Sequence, residues 1–168
     1  MLSPNTHASP SPDTAVETVV WRCLPFDAMA ARTLYRLLRL RSEVFVVEQD
    51  CPYLDADGEK DKASWHLWLT DDGGRMIAYC RILPEGVSYT GYAAIGRVIS
   101  RQDQRGTGAG RRVMEEAIRW IGENWPGIPV KISAQCYLDR FYQSLGFVPT
   151  GEEYPEDGIP HQAMILRK

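Results

Sequence analysis

The chain has 168 residues, 44% of them apolar, with a mean hydropathy of -0.31, a length and composition that suit one globular domain with a real core. Nineteen basic against 22 acidic side chains leave a formal charge of -3 and an isoelectric point near 5.6, so no global basic field draws the chain to nucleic acid or anionic lipid, and small partners are favoured. Cys23, Cys51, Cys80 and Cys136 form neither a Cys-x-x-Cys pair nor a dense disulfide framework, which fits reduced thiols in a cytoplasmic protein.

Residues 1–16, MLSPNTHASPSPDTAV, hold neither a basic start nor an apolar run. This predicts a disordered, Ser- and Pro-rich tail rather than a signal peptide or membrane anchor, with 17–168 as a single domain. The β-branched and aromatic run ETVVWRC (17–23) predicts a first strand. Beyond it Leu34, Leu37, Leu38 and Arg41 recur at helical spacing, so one or two helices follow. The stretch EQDCPYLDADGEKD (48–61) has turn residues and acids but no period, and is expected to be a loop. A calcium-binding register fails there: with Gly58 at the sixth position, Tyr53 and Ser64 fall at the first and twelfth, where Asp and Glu are needed. Its acids are therefore expected in solvent, at most as a mildly acidic rim that attracts cationic amines.

The segments SWHLWLTDDGGRMIAYCRILPEG and YTGYAAIGRVIS cluster apolar residues around an Asp72-Gly73-Gly74 reversal, a pattern that predicts three antiparallel strands. Then Val113, Met114, Ala117, Ile118 and Ile121 trace one face of a helix, while Arg112, Glu115, Glu116, Arg119 and Glu123 trace the other. Pro126-Gly127 ends it, and IPVKISAQ alternates as a fifth strand with Val130, Ile132 and Ala134 on one side. A short helix from about Tyr137 to Leu145 stops at Gly146, and FVPTGEEY with HQAMILRK is expected to close as a hairpin. This order predicts an α/β (α+β) domain with a mixed, mostly antiparallel sheet of about six to seven strands and flanking helices. Strand 4, helix and strand 5 form its parallel crossover.

Between strand 4 and the long helix lies DQRGTGAGRR (103–112). Glycines at such a junction let main-chain N–H groups turn toward an anion, and the helix N-terminus adds about half a positive charge. The run is not a dinucleotide fingerprint, because Arg111 stands where the third glycine belongs, and no Gly-Lys pair exists for a Walker loop. It does match R-x-x-G-x-G through Arg105, Gly108 and Gly110, and FYQSLGF adds Y-x-x-x-G-F through Tyr142, Gly146 and Phe147. Together these resemble the GNAT superfamily of acetyl-coenzyme-A-dependent N-acetyltransferases. The stretches LRSEVFVVEQDCPY, AYCRIL, IGRVI and EDGIPH resemble its ElaA-like branch. The chain carries Ser100, Gln135 and Leu138 where the superfamily often has Val, Asn and Ala.

The resemblance implies a splay between strands 4 and 5, with the pantetheine arm of acetyl-CoA bonded to main-chain groups of Val98, Ile99 and Ser100. It places the diphosphate on the N–H groups of Gly106, Thr107, Gly108, Ala109, Gly110 and Arg111, with Arg105, Arg111 and Arg112 adding charge. It further implies direct attack on the thioester by a primary amine of a small molecule or peptide, with the Tyr142 hydroxyl as proton donor to the leaving thiolate.

His66 and His161 are the histidines outside the tail. Histidine titrates near working pH, and neither has a metal-ligand neighbour at useful spacing, so no metal is expected. His161 is the candidate for substrate contact or proton relay, ahead of Glu43 and Glu48, and His66 is a further candidate for substrate contact, with a place at the rim or in the structure as its alternative. Arg41, Arg81 and Arg97 sit in or beside apolar runs, where a charge needs a partner. That partner is either Glu43, Glu48 or Glu85, or the carboxylate of an amino-acid-like substrate. Two further readings stand beside the enzyme: a noncatalytic acyl-CoA-binding module and, from LRSEVF, an acyltransferase similar to the acyl-homoserine-lactone synthases. Neither nucleic acid nor membrane is an expected partner, and a homodimer is left open.

Overall fold

The computed structural model describes residues 19–167; the expected tail, 1–16, lies outside them. β1 (Val20–Pro25) leads through a short 3-10 turn into α1 (Ala31–Arg41), which runs on as a π-helical segment over Ser42–Glu48. After a loop and the one-turn α2 (Glu59–Ala63) come β2 (Trp65–Thr70), β3 (Met76–Leu83) and β4 (Ala93–Ser100). α3 (Ala109–Asn124), β5 (Val130–Gln135) and α4 (Asp139–Gln143) follow, and β6 (Val148–Pro149), β7 (Tyr154–Glu156) and β8 (Ile159–Leu166) complete the chain.

The sheet has eight strands in the order β1-β2-β3-β4-β5-β8-β6, with β7 also on β8. Every residue of β3 is buried, as its unbroken apolar run requires of a strand covered on both faces. On one face Ala78, Cys80 and Ile82 join Val113, Met114, Ala117 and Ile121 of α3 in the larger core. On the other, Tyr79 and Met76 pack with Trp68, Leu37 and Leu40 beneath α1. The helical face read from residues 113–121 is therefore the buried one, apart from half-exposed Ile118.

The closing hairpin differs from expectation. The segment before β8 breaks into β6 and β7, both antiparallel to β8, with Val148 opposite Ile165 and Tyr154 opposite His161. Thr150 bonds Ala163 through its N–H at 2.9 Å where the two pieces part. The preceding helix is also shorter than read, because Cys136–Leu138 turns as a 3-10 segment and only Asp139–Gln143 is α-helical.

β4 and β5 are parallel and pair only at Ala93 with Val130 and Ala94 with Lys131. Beyond those pairs each strand is held by its other neighbour. β5 stays in register with β8 from Val130 opposite Leu166 to Gln135 opposite His161, and β4 follows β3. The β3–β4 register shifts between Tyr79 and Arg81, and Arg97 there takes φ +51°. This β-bulge bends β4 and adds to the splay.

Candidate active site

The parting of β4 and β5 opens a cleft of about 960 Å³, the size of ordinary small-molecule sites. One end is the turn before α3. Gly106 and Gly108 have φ of +82° and +89°, a backbone that glycine adopts without penalty, and Gly108 caps α3 with no side-chain hydrogen bond. The N–H groups of Gly106, Gly108, Ala109, Gly110 and Arg111 meet no acceptor among the described residues. A Cβ placed on Gly106 or Gly108 would meet nothing within 4 Å, so the turn is open to solvent. Unused donors at the positive end of a helix suit an anion.

Thr107 is the exception within this turn. Its N–H and its hydroxyl both go to the Gln104 carbonyl, at 3.4 and 2.7 Å, so the six-donor ring expected from sequence is smaller by one. Two of the three arginines are also engaged. Arg105 pairs with Glu48, while Arg111 donates to Ser144 Oγ and lies 5.8 Å from the centre of the Phe141 ring. Val98, Ile99 and Ser100 form the wall from which β5 has withdrawn; a strand edge without its neighbour is a template for an extended ligand.

Tyr142 lines the cleft as well. It is 7% exposed and held edge-on by Phe141 and Phe147, at 5.1 and 6.1 Å between ring centres. Its hydroxyl has no hydrogen bond to a described residue. Burial pushes its pKa well above the ordinary tyrosine value, with lesser contributions from Cys80 and Tyr137, so the proton is retained at working pH. His161, on β8, lines the same cleft. Its Nδ1 lies 2.7 Å from the Ile159 carbonyl; a carbonyl only accepts, so Nδ1 is the donor, and the tautomer that fits has its lone pair on Nε2.

The three arginines in apolar runs find partners, but not the glutamates expected. Arg41, fully buried, reaches Asp55 Oδ2 with Nε at 2.7 Å, Asp61 Oδ1 with Nη1 at 2.6 Å and the Asp55 carbonyl with Nη2 at 2.7 Å. Arg81 Nη1 pairs with Asp57 at 2.7 Å and Asp61 at 2.9 Å. Arg97 Nε bonds Asp55 Oδ1 at 2.8 Å, with its guanidinium 5.7 Å from the Phe45 and Tyr53 ring centres. The acidic loop is thus the internal counterion: Asp55 and Asp61 are each 6% exposed. Burial alone would raise the Asp61 pKa, but the bonds and charges of Arg41 and Arg81 outweigh it and hold the carboxyl below its ordinary value. Glu43 instead pairs with Arg39 and Arg101 at the surface.

Arg41 and His66 do not line the cleft. His66 is fully buried; Nε2 donates to the Asp61 carbonyl at 2.9 Å and Nδ1 accepts from Tyr79 Oη at 2.8 Å. These bonds tie β2 and β3 to the acidic loop, which is a structural task rather than contact with a substrate. Arg81 and Arg97 do reach the cleft wall. Sequence reading missed Asp55, Asp57 and Asp61. The available signal was three arginines in apolar surroundings and three aspartates within 55–61, a stretch expected to be loop throughout whose last aspartate lies in α2.

A family model for an acetyltransferase (GNAT) domain matches residues 43–168. Protein ElaA of Escherichia coli is 40% identical over 149 residues, which cover 87% of this chain and 95% of that protein. A UPF0039 protein of Synechocystis is 39% identical over 147 residues, or 88% of this chain and 94% of that one. An acyl-CoA N-acyltransferase from Pseudomonas aeruginosa superposes with a TM-score of 0.82 at 40% identity, covering 89% of this chain and 99% of that one. These likenesses span the cleft, the glycine turn and the acidic loop together, and the chain is a member of the GNAT acetyltransferase family, an acyltransferase of its ElaA-like branch.

Proposed function

We propose that the protein transfers an acetyl group from acetyl-CoA to a primary amine of a small molecule or peptide, in the cytoplasm. The observation that carries this reading is the splay of β4 from β5 beside an open turn of unused N–H donors. An extended arm ending in a diphosphate matches that pair of features in shape and in charge. The free thiols of all four cysteines fit a reducing compartment.

Bound acetyl-CoA supplies an activated acetyl thioester. The glycine turn holds its diphosphate through Gly106, Gly108, Ala109, Gly110 and Arg111, and Val98, Ile99 and Ser100 align its arm. An alkylamine with a pKa near 10.4 is neutral in roughly four molecules per ten thousand at pH 7, so a proton acceptor is needed. His161 Nε2 takes that proton, directly or through water. As the nitrogen bonds the carbonyl carbon, main-chain N–H groups at the β4 bulge stabilise the charge on the oxygen. The carbon–sulfur bond breaks, Tyr142 gives its proton to the departing sulfur, and the second proton that the nitrogen loses as the amide forms returns to the Tyr142 oxygen.

The test is free-thiol release from acetyl-CoA across an amine library. Tyr142→Phe should lower kcat about a hundredfold while acetyl-CoA affinity stays put, and an unchanged kcat would remove Tyr142 from the reaction. A protein that binds acetyl-CoA but releases thiol with no amine would be a binding module. Thermal stabilisation by S-adenosylmethionine in place of acetyl-CoA would point instead to the homoserine-lactone-synthase-like alternative.

A further inference from the structure

The acceptor wall of the cleft carries a polar edge that no described residue uses. The Arg81 side chain is 6% exposed, and a single atom, Nη1, serves both Asp57 and Asp61. Nε is buried without a hydrogen-bond partner, and Nη2 has none among the described residues. These two nitrogens make up the side-on edge of the guanidinium, whose parallel N–H donors fit a carboxylate in bidentate fashion. Buried donors are nearly always paired, so an unpaired charged one in a cleft calls for a ligand.

Access to that edge depends on Gly96, opposite Arg81 on β4. A Cβ there would lie 3.7 Å from Arg81 Nε and 4.0 Å from Leu83 Cδ1, so the bare glycine leaves about a methyl's width of space beside the edge, where Arg81, Leu83 and Gly96 line the cleft. Charge favours an anion. The guanidiniums of Arg41, Arg81 and Arg97 are matched by the carboxylates of Asp55, Asp57 and Asp61. Lys60 lines the same cleft beside Asp61 and has no ion pair among the described residues, so this wall holds a surplus positive charge.

We propose that the acceptor is an amino acid, whose carboxylate docks on the Nε/Nη2 edge of Arg81 with Lys60 nearby. This rests on the acetyl-transfer reading and names the class of its second substrate. The decisive experiment is calorimetric titration of the CoA-loaded protein with the N-acetylated forms of the twenty amino acids, each against its amide. Binding is read at equilibrium and requires no turnover.

At least one acid should bind about tenfold or more tightly than its amide, and Gly96→Ala, whose methyl meets only ordinary van der Waals contacts, should erase that preference. Arg81→Lys, which keeps the charge and loses the fork, should also erase it. The proposal is overturned if no acid outbinds its amide, or if the preference survives Gly96→Ala. An acid preference without thiol release from acetyl-CoA would support this subsite while removing acetyl transfer. Turnover of amines without any acid preference would do the reverse.

Discussion

The two walls of the cleft are built from different materials. On the side proposed for the cofactor the available groups are main-chain N–H donors at the mouth of α3, supplied by Gly106 and by residues 108–111. On the side proposed for the acceptor they are buried side chains in the wall and behind it. There Arg41 meets Asp55 across 14 residues of sequence, Arg81 meets Asp61 across 20, and Arg97 meets Asp55 across 42. A main-chain site needs only a local backbone path, which a few glycines permit. A side-chain network needs α1, β3, β4 and the acidic loop to converge, and it stabilises the fold only while every charge keeps its partner.

The sharpest way to break this comparison is to remove one charge from the buried wall. Asp61→Ala leaves Arg41 and Arg81 short of a carboxylate and should cost about 3–5 kcal/mol of stability, read from urea denaturation. CoA affinity below the transition should stay within about threefold, because the cradle shares no side chain with the network. Parallel loss of both would show that the walls are one unit.

A smaller effect lies in pH. Burial, aided by the charges of Arg41 and Arg81, holds the His66 pKa below its ordinary value of about 6.5. The unfolded chain therefore takes up the proton first. Stability should be insensitive to this group above about pH 6.5 and fall as pH drops below it, by at most about 1.4 kcal/mol per unit, until the buried ring itself titrates. Asp61 has the same sign at lower pH: its stabilisation is complete above the ordinary carboxylate value of 3.8 and lost as pH falls through its depressed value. Urea titrations from pH 7.5 to 5 should show the first slope in the wild type and a flatter line in His66→Gln.

The smallest effect concerns the pair that borders both walls. Glu48 holds Arg105 at the edge of the glycine turn. Glu48→Gln should free that guanidinium for the diphosphate and tighten CoA by no more than about fivefold, the scale of an exposed ion pair. Weaker binding would mean that Glu48 positions Arg105 rather than restrains it.

This difference in material also explains what the sequence disclosed. The crossover through α3, the alternation of β5 and the glycine turn were legible because each is written in neighbouring residues: VKISAQ alternates buried and half-buried as read. Arg41, Arg81 and Arg97 are recognisable as charges in need of partners, yet the internal partners are Asp55, Asp57 and Asp61 rather than Glu43, Glu48 or Glu85. A loop's fold over α1 and β3 has no period to betray it, and the acids of DADGEKD look alike whether solvated or buried. The break of the last hairpin into β6 and β7 was hidden for the same reason, since Gly151 and its neighbours mark a turn but not its register on β8.

The central claim is that the main-chain donors before α3 receive the diphosphate of coenzyme A, and titration of CoA into wild type and Gly108→Glu tests it most directly. A carboxylate placed at the helix cap repels the anion and forces a side chain into φ +89°. With fold retained by circular dichroism, the variant should lose at least about a hundredfold in affinity. Equal affinity in the two proteins would contradict the account.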